Sequence, residues 1–257
     1  LDLLVVVDNE TDTLSSVDEG LPQIPEVMQV AARRAPDRVH EGHECKVVMD
    51  GLCCACHGYS VLATARRGND ICRVLFDVGP YADLWPANAE RLAVDLASIE
   101  TVFLSHWHSD HSGGFPRVIA AIAQARAAAG LPPPLVDLHP DRPDQRGLMT
   151  ATGTLLLLGP EPTFAELEAA GGVLLKEGDA HAVRDFFYGS GAIPRVTAYE
   201  TGLAGHHSFR GGQLAADPLI MDERFLAARV RGRGISVLSA CSHAGIVNAC
   251  LGAQAAF

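Results

Sequence analysis

The chain has 257 residues, 48% of them apolar, which is enough to bury a sizeable core within one domain. Against 20 basic residues stand 31 acidic ones, and the resulting formal net charge of −11 works against a polyanionic partner, so nucleic acid is excluded as the expected substrate. Seven cysteines (Cys45, Cys53, Cys54, Cys56, Cys72, Cys241 and Cys250) form no disulfide-framework spacing and read as reduced thiols of a cytoplasmic protein, and no apolar run reaches membrane-spanning length. A single domain over residues 1–257 acting on a small molecule, with no nucleic-acid and no membrane partner, is the expectation. Because it opens on Leu1 and stops soon after a histidine motif, the chain is expected to lack part of its C-terminal region.

Leu3-Leu4-Val5-Val6-Val7, ended by Asp8-Asn9, predicts a buried strand running into a polar loop. Residues 11–45 are mixed and loop-rich, and strands are expected at 47–49, 59–64 and 73–77, the last after a Gly68-Asn69 turn. Residues 87–96 have helical composition, whereas Thr101-Val102-Phe103-Leu104-Ser105 is a compact β-type run. An alanine-rich helix is predicted over 116–129, stopped by Gly130 and Pro132-Pro133-Pro134. Further strands are expected at 135–138, 154–158 and 173–176, and a helix over 163–170 opened by a Thr163/Glu166 capping box. A short helix is expected at 222–229, then a strand at 235–239 that ends on Cys241-Ser242-His243. Two strands thus deliver histidines from their C-terminal ends. No repeat, low-complexity linker or charge block marks a domain boundary.

The first of those loops carries His106-Trp107-His108-Ser109-Asp110-His111. Imidazole nitrogens and a carboxylate oxygen are the donors that zinc and similar divalent ions accept. In extended chain His106 and His108 share a side, a turn near Ser109 can bring Asp110 and His111 to an adjacent position, and Gly113-Gly114 permits a tight backbone turn. Two ions sharing a hydroxide of lowered pKa would make hydrolysis the natural chemistry.

Ser105-His106-Trp107-His108-Ser109-Asp110-His111-Ser112-Gly113-Gly114 resembles the His-x-His-x-Asp-His signature of the metallo-β-lactamase superfamily. That resemblance implies an α/β fold, an αβ/βα sandwich of two mixed sheets flanked by helices. With Val7-Asp8-Asn9, Leu75-Phe76-Asp77-Val78-Gly79-Pro80, Ile193-Pro194-Arg195-Val196-Thr197-Ala198-Tyr199-Glu200 and Cys241-Ser242-His243-Ala244-Gly245-Ile246-Val247-Asn248, it is similar to the subgroup of 7,8-dihydropterin-6-yl-methyl-4-(β-D-ribofuranosyl)aminobenzene 5′-phosphate synthases.

The resemblance implies two divalent ions, zinc foremost with manganese or iron as alternatives. His106 and His108 would hold the first and Asp110 and His111 the second, with Asp110 also catalytic. His243 would complete the first site, His181 being the competing ligand. Asp77 would order the metal loop through hydrogen bonds, and Arg195 is a candidate contact for an anionic substrate group. The superfamily draws a further second-site histidine from near its C-terminus. None follows His243, so that site is expected to be incomplete here.

The implied function is a hydrolase acting on an ester or phosphoester through a metal-bound hydroxide. A pterin-linked synthase or transferase and a catalytically silent metal-binding protein are the alternatives. Cys53-Cys54-Ala55-Cys56-His57 lacks the second ligand pair of a structural zinc site, His206-His207 lies in a glycine-flanked stretch that reads as a polar loop, and His139 is equivocal.

Overall fold

The protein, represented by a computed structural model, is described over residues 1–10, 38–45 and 51–257. The strand expected at 47–49 and most of the loop-rich stretch before it lie outside the described residues.

Strands β1 (Asp2–Val7), β2 (Arg38–His40), β3 (His43–Cys45), β4 (Ser60–Arg67) and β5 (Asp70–Phe76) are followed by helix α1 (Leu84–Arg91) and β6 (Thr101–Phe103). The short turn α2 (Ser109–Ser112) and helix α3 (Phe115–Ala128) lead to β7 (Leu135–Leu138), β8 (Gln145–Met149), β9 (Leu155–Leu157), α4 (Phe164–Ala169) and β10 (Val173–Lys176). The remainder comprises β11 (His181–Val183), β12 (Phe187–Gly189), β13 (His206–Arg210), β14 (Gln213–Ala216), β15 (Leu226–Val230), β16 (Gly234–Leu238) and helix α5 (Ile246–Ala256).

A six-stranded sheet runs β1-β4-β5-β6-β7-β10, its β5, β6, β7 and β10 parallel, and a four-stranded antiparallel sheet runs β11-β12-β15-β16. Alternation along the strands decides how they stack. Val61, Ala63, Val74, Phe76 and Phe103 face Val183, Phe187, Leu226, Ala228 and Leu238 of the second sheet. On the other face Leu62, Leu75, Val102 and Val136 pack on Trp85 of α1 and on Phe115, Val118, Ile119 and Ile122 of α3, while Ala249 and Ala253 of α5 cover the outside of the second sheet beside Ala227. The result is the four-layer α/β sandwich expected from the sequence. A third sheet, β14-β13-β8-β9, flanks it.

Several sequence expectations change. β1 is the edge strand of its sheet, and Leu3, Leu4 and Val5 are exposed, with only Val6 and Val7 buried. Helix α1 ends early, the chain turning away at Ala93 with φ +55°. The helix expected at 222–229 is instead a loop followed by β15. Asp222, Glu223 and Arg224 are all buried, because each charge is consumed by a tertiary partner rather than displayed on a helix face. Helix α5 carries no local cap. Its first amides, Val247 N and Asn248 N, donate to the Glu200 carboxylate 2.9 Å away, a residue far upstream. Nor does Gly113 serve a tight turn. Its φ is helical at −58°, but an added Cβ would lie 2.3 Å from the Pro80 carbonyl, so the glycine permits close backbone packing beside the histidine loop.

Two cations are fully buried. Arg224 donates from Nη1 to Asp137 Oδ1 (2.8 Å) and from Nη2 to the Leu104 carbonyl (2.8 Å), and Arg146 of β8 donates to Asp222 Oδ1 (2.5 Å) and the Trp107 carbonyl (2.5 Å). Arg224→Met should cost about 3 to 5 kcal/mol in urea unfolding, since it removes the guanidinium that pairs with Asp137 and bonds the Leu104 carbonyl, leaving the buried carboxylate with His181 alone. Thr163→Ala, which removes the exposed reciprocal capping box of α4, should cost only about 1 kcal/mol; equal losses would show that the buried pair contributes nothing special. Gly113→Ala should lower stability by about 1 to 3 kcal/mol in the same measurement, and an unchanged midpoint would show that the Pro80 segment gives way freely.

Candidate metal centre

Parallel pairing of β5 with β6 places the chain ends after Phe76 and Phe103 side by side, and Asp77 N donates to the Phe103 carbonyl at 2.9 Å. Beyond β6 the backbone bends through Ser105, His106 and Trp107, the His108 amide donating to the His106 carbonyl at 3.0 Å, and this bend brings the two rings within 3.0 Å of each other. His106 and His108 point one way while Trp107, fully buried, points into the core with its indole N–H on the His139 carbonyl (2.9 Å). Trp107 N donates to Asp222 Oδ2 (2.8 Å), which pins the loop between its two histidines. His108 then caps the turn α2, whose curvature presents Asp110 and His111. From the second sheet, β16 delivers Cys241 and His243; there Glu223 accepts the His243 and Ala244 amides at 2.8 and 2.6 Å.

His106 Nε2 stands 3.0 Å from His108 Nδ1, and His243 Nε2 stands 3.2 Å from that same Nδ1. His111 Nε2 lies 3.1 Å from Cys241 Sγ and 3.2 Å from Asp110 Oδ2. Two donor sets result, each with its ligand atoms within 4.8 Å of one another: His106, His108, Cys241 and His243, and Asp110, His111 and Cys241. Cys241 belongs to both.

Hydrogen bonds on the far side of the rings fix which nitrogens are bare. Asp77, buried and acceptor-only as a carboxylate, takes the Ser105 amide (2.8 Å), the Ser105 hydroxyl (2.7 Å) and His111 Nδ1 (2.8 Å). Ser105 Oγ, having given its proton to Asp77, accepts from His106 Nδ1 at 2.9 Å. His106 thus turns an unprotonated Nε2 inward, as metal-bound histidines do, while His111, its Nδ1 held by Asp77, turns Nε2 towards Asp110 and Cys241.

Electrostatics agree. Burial, then the neighbouring His108 and His111, holds the pKa of His106 well below its ordinary value; burial with Arg146 and His243 lowers His108 to about 2, and burial with His206 and His111 lowers His243 to about 4. Their lone pairs are free at neutral pH. Burial opposes a charge on His111, yet the Asp77 carboxylate and hydrogen bonds to Asp110, Asp77 and Cys241 raise its pKa well above the usual value, which marks this half of the centre as one that stabilises positive charge. Burial likewise disfavours ionised Asp110, but His111 outweighs it and brings the carboxyl down to about 2. Neutral imidazoles, an ionised carboxylate and a thiol converging on common points fit divalent metal binding.

The structure brings together His106, His108, Asp110, His111 and His243, with Asp77 behind them. Other residues singled out in the sequence lie elsewhere. His181 pairs with Asp137 (2.8 Å) and joins neither donor set, and His139 accepts from the Asp141 amide. Arg195 donates to the His243 carbonyl (3.3 Å) and to that of Leu219, so it braces the loop that presents His243 and does not line the cavity at the centre. Two residues were missed. Cys241 had the signal of a thiol two positions before His243 at a strand end; His206, read as part of a polar loop, is fully buried on β13 with Nε2 3.0 Å from His108 Nε2.

A cavity of about 330 Å³ opens on Asp110, His111 and Cys241 and is walled by Asp8, Asn9, His57, Tyr59 and Ser239. Gly58 makes that wall possible: its φ is +149°, and an added Cβ would lie 2.6 Å from the Asp110 carbonyl. His57, from the cysteine-rich segment, is thereby set with Nε2 3.4 Å from Asp110 Oδ2.

The family model of the metallo-beta-lactamase superfamily matches residues 68–199. Lactamase-like protein vrtG of Penicillium aethiopicum is 32% identical over 108 residues, 42% of this chain and 31% of that protein. The 7,8-dihydropterin-6-methyl-4-(beta-D-ribofuranosyl)-aminobenzene-5'-phosphate synthase of Methanocaldococcus jannaschii is 26% identical over 196 residues, 75% of this chain and 63% of that protein. An atrochrysone carboxyl ACP thioesterase of Aspergillus fumigatus is 29% identical over 143 residues, 54% and 39% of the two chains. The chain therefore spans less than two thirds of the length of each of these relatives. The crystal structure of Tm1679, a metal-dependent hydrolase of the beta-lactamase superfamily, shares the fold with a TM-score of 0.60 at 21% identity, over 99% of this chain and 71% of that one. With the family model covering just over half its length and carrying the His106–His111 motif, on a four-layer sandwich of matching fold, the chain belongs to the metallo-beta-lactamase superfamily.

Proposed function

We propose that the chain is a hydrolase of carboxylic esters or thioesters that uses two divalent metal ions, zinc foremost. The observation that carries this reading is the convergence of ring nitrogens: His106 Nε2, His108 Nδ1 and His243 Nε2 form one donor set, and His111 Nε2 with Asp110 the other, with Cys241 between them. Divalent ions held there would polarise a carbonyl and make water nucleophilic at neutral pH.

The chain's own residues supply the rest. Asp110 is ionised and turns Oδ2 towards the cavity between His111 and His57, where it can take a proton from an attacking water. His57 stands at the rim with a largely exposed ring, in position to exchange that proton with solvent. Among the described residues that line the cavity there is neither lysine nor arginine, while two aspartates are present. A phosphate would meet no lysine or arginine there, and its charge would fall to His111 and the metal ions alone. A neutral acyl group suits the wall better, and the similarity to a thioesterase points the same way.

A second reading, a pterin-linked synthase, is favoured by the resemblance to the Methanocaldococcus jannaschii synthase and by Asp8, Asn9 and Tyr59. Those side chains offer a carboxylate and an amide to an aminopyrimidine edge and a ring to stack on it. A catalytically silent metal-binding protein would fill both donor sets without turning over either class of substrate.

Purified protein loaded with zinc should carry about two ions per chain and hydrolyse aryl esters and acyl thioesters in preference to aryl phosphates. Asp110→Asn should lower kcat by about 10² to 10⁴-fold with folding unchanged. Metal-replete protein that cleaves only phosphates, or that binds a reduced pterin in calorimetry and cleaves no ester, would overturn the ester reading in favour of the others. Cys241→Ser should remove the near-ultraviolet thiolate band of the cobalt-loaded protein and reduce metal uptake at both sets; a band that persists would place the thiol outside the centre.

A further inference from the structure

His206 lies behind the centre rather than in it. β13 pairs antiparallel with β8, His206 opposite Leu148, and with β14, His207 opposite Ala216. Side chains alternate along a strand, so His206 and Ser208 turn inward and are buried while His207 faces the other way. His206 Nδ1 is 2.7 Å from the Asp217 carbonyl oxygen. A carbonyl has no proton to give, so the proton lies on Nδ1. With the single N–H of a neutral imidazole placed on Nδ1, Nε2 is left as an acceptor. That acceptor is 3.0 Å from His108 Nε2, and because His206 belongs to neither donor set no shared ion lies between these two nitrogens, so the contact is a hydrogen bond in which His108 Nε2 donates; the Nδ1 contacts with His106 and His243 are instead those of lone pairs converging on a metal position. The nitrogen of His108 left bare is then Nδ1, the atom shared with His106 and His243.

We propose that His206 is a positioning residue that, anchored on the Asp217 carbonyl, fixes the tautomer and ring orientation of His108 so that His108 Nδ1 is presented unprotonated to a metal ion. The proposal rests on reading His106, His108 and His243 as a metal-binding set. It assigns to the flanking third sheet a part in the centre. Register explains why: a one-residue slip of β13 against β8 would exchange His206 for His207 and turn the acceptor away. His206 serves the first donor set alone, because Asp110 and His111 are oriented through Asp77 and α2 instead.

The test compares His206→Leu, His206→Gln and, as a control on the opposite face of the same strand, His207→Ala. Competition with a chromophoric chelator should show the tighter loss at one zinc only: His206→Leu weakens first-set binding by about 10 to 100-fold, His206→Gln, whose amide oxygen can still accept from His108, recovers most of it, and His207→Ala matches the parent. The cobalt–thiolate band, to which Cys241 contributes through either set, should survive in all three. Long-range proton–nitrogen NMR of the metal-free parent should show His108 protonated on Nε2. Unchanged zinc affinity in His206→Leu, no recovery in His206→Gln, or His108 protonated on Nδ1 would each overturn the proposal. Should the parent bind no metal at all, the reading of the centre fails, and the NMR measurement still decides the tautomer.

Discussion

A single buried carboxylate organises the centre. Asp77 is fully inaccessible, held at φ +53°, and in that setting each of its oxygens needs donors. It finds them in the amide and hydroxyl of Ser105 and in His111 Nδ1, residues on both sides of the metal motif. Satisfying Asp77 therefore commits the Ser105 proton, which commits His106 to donate through Nδ1, which leaves Nε2 bare; the same carboxylate commits His111 directly. One desolvated anion thus sets the tautomers of two histidines in different donor sets. Parallel pairing makes this possible, because it sets the C-terminal ends of β5 and β6 side by side, so that Asp77 and Ser105 meet although the crossover through α1 separates them in sequence.

The loops around this carboxylate are held by buried ion pairs instead of by apolar packing. Asp222, Glu223 and Arg224 are consecutive, yet they anchor three different segments: Asp222 the Trp107 amide together with Arg146, Glu223 the amides after Cys241-Ser242, and Arg224 the Leu104 carbonyl and Asp137. Replacing such pairs wholesale by apolar residues often costs little stability, so their value lies in geometry. Each guanidinium reaches main-chain carbonyls of the histidine loop as well as its carboxylate, which fixes the loop at several points at once.

What the sequence made legible follows from how local each cause is. The run His106 to His111 was readable because four metal-donor residues fall within six consecutive positions and follow a β-type run, and the capping box at Thr163 because both partners lie within one turn. Helix α5 was missed because its N-terminal amides are capped by Glu200, far away in sequence, and the charged stretch at 222–224 passed for a helix surface because its three partners are 20 to more than 80 residues distant. Arg195, singled out as a substrate contact, owes its position to carbonyls of two remote loops. His206 belongs to the same class: nothing in the residues around it states that a strand pairing will bring it to the histidines, and only sheet register does so, whereas Cys241 carried a local signal in its place two residues before His243.

The two donor sets share Asp77 and Cys241 but lean on different parts of the fold beyond them. The first, with His108 and His243, is backed by the third sheet through His206 and by the second through Glu223. The second, with Asp110 and His111, is faced by the N-terminal segment, where Gly58 N bonds Asn9 Oδ1 (3.3 Å) and Gly58 packs on the Asp110 carbonyl. Asp110 and His111 of the second set, with the shared Cys241, open on the cavity walled by Asp8, Asn9 and His57, whereas His106, His108 and His243 are not among its described lining residues. The first is therefore enclosed by rigid sheet and loop anchors, and the second shares its outer wall with whatever occupies the cavity. Substitution in that wall can alter which substrates fit while the enclosed set keeps its shape, and substitution in β13 would do the reverse; the division between a rigid half and an adaptable half follows from which layers of the sandwich supply each wall.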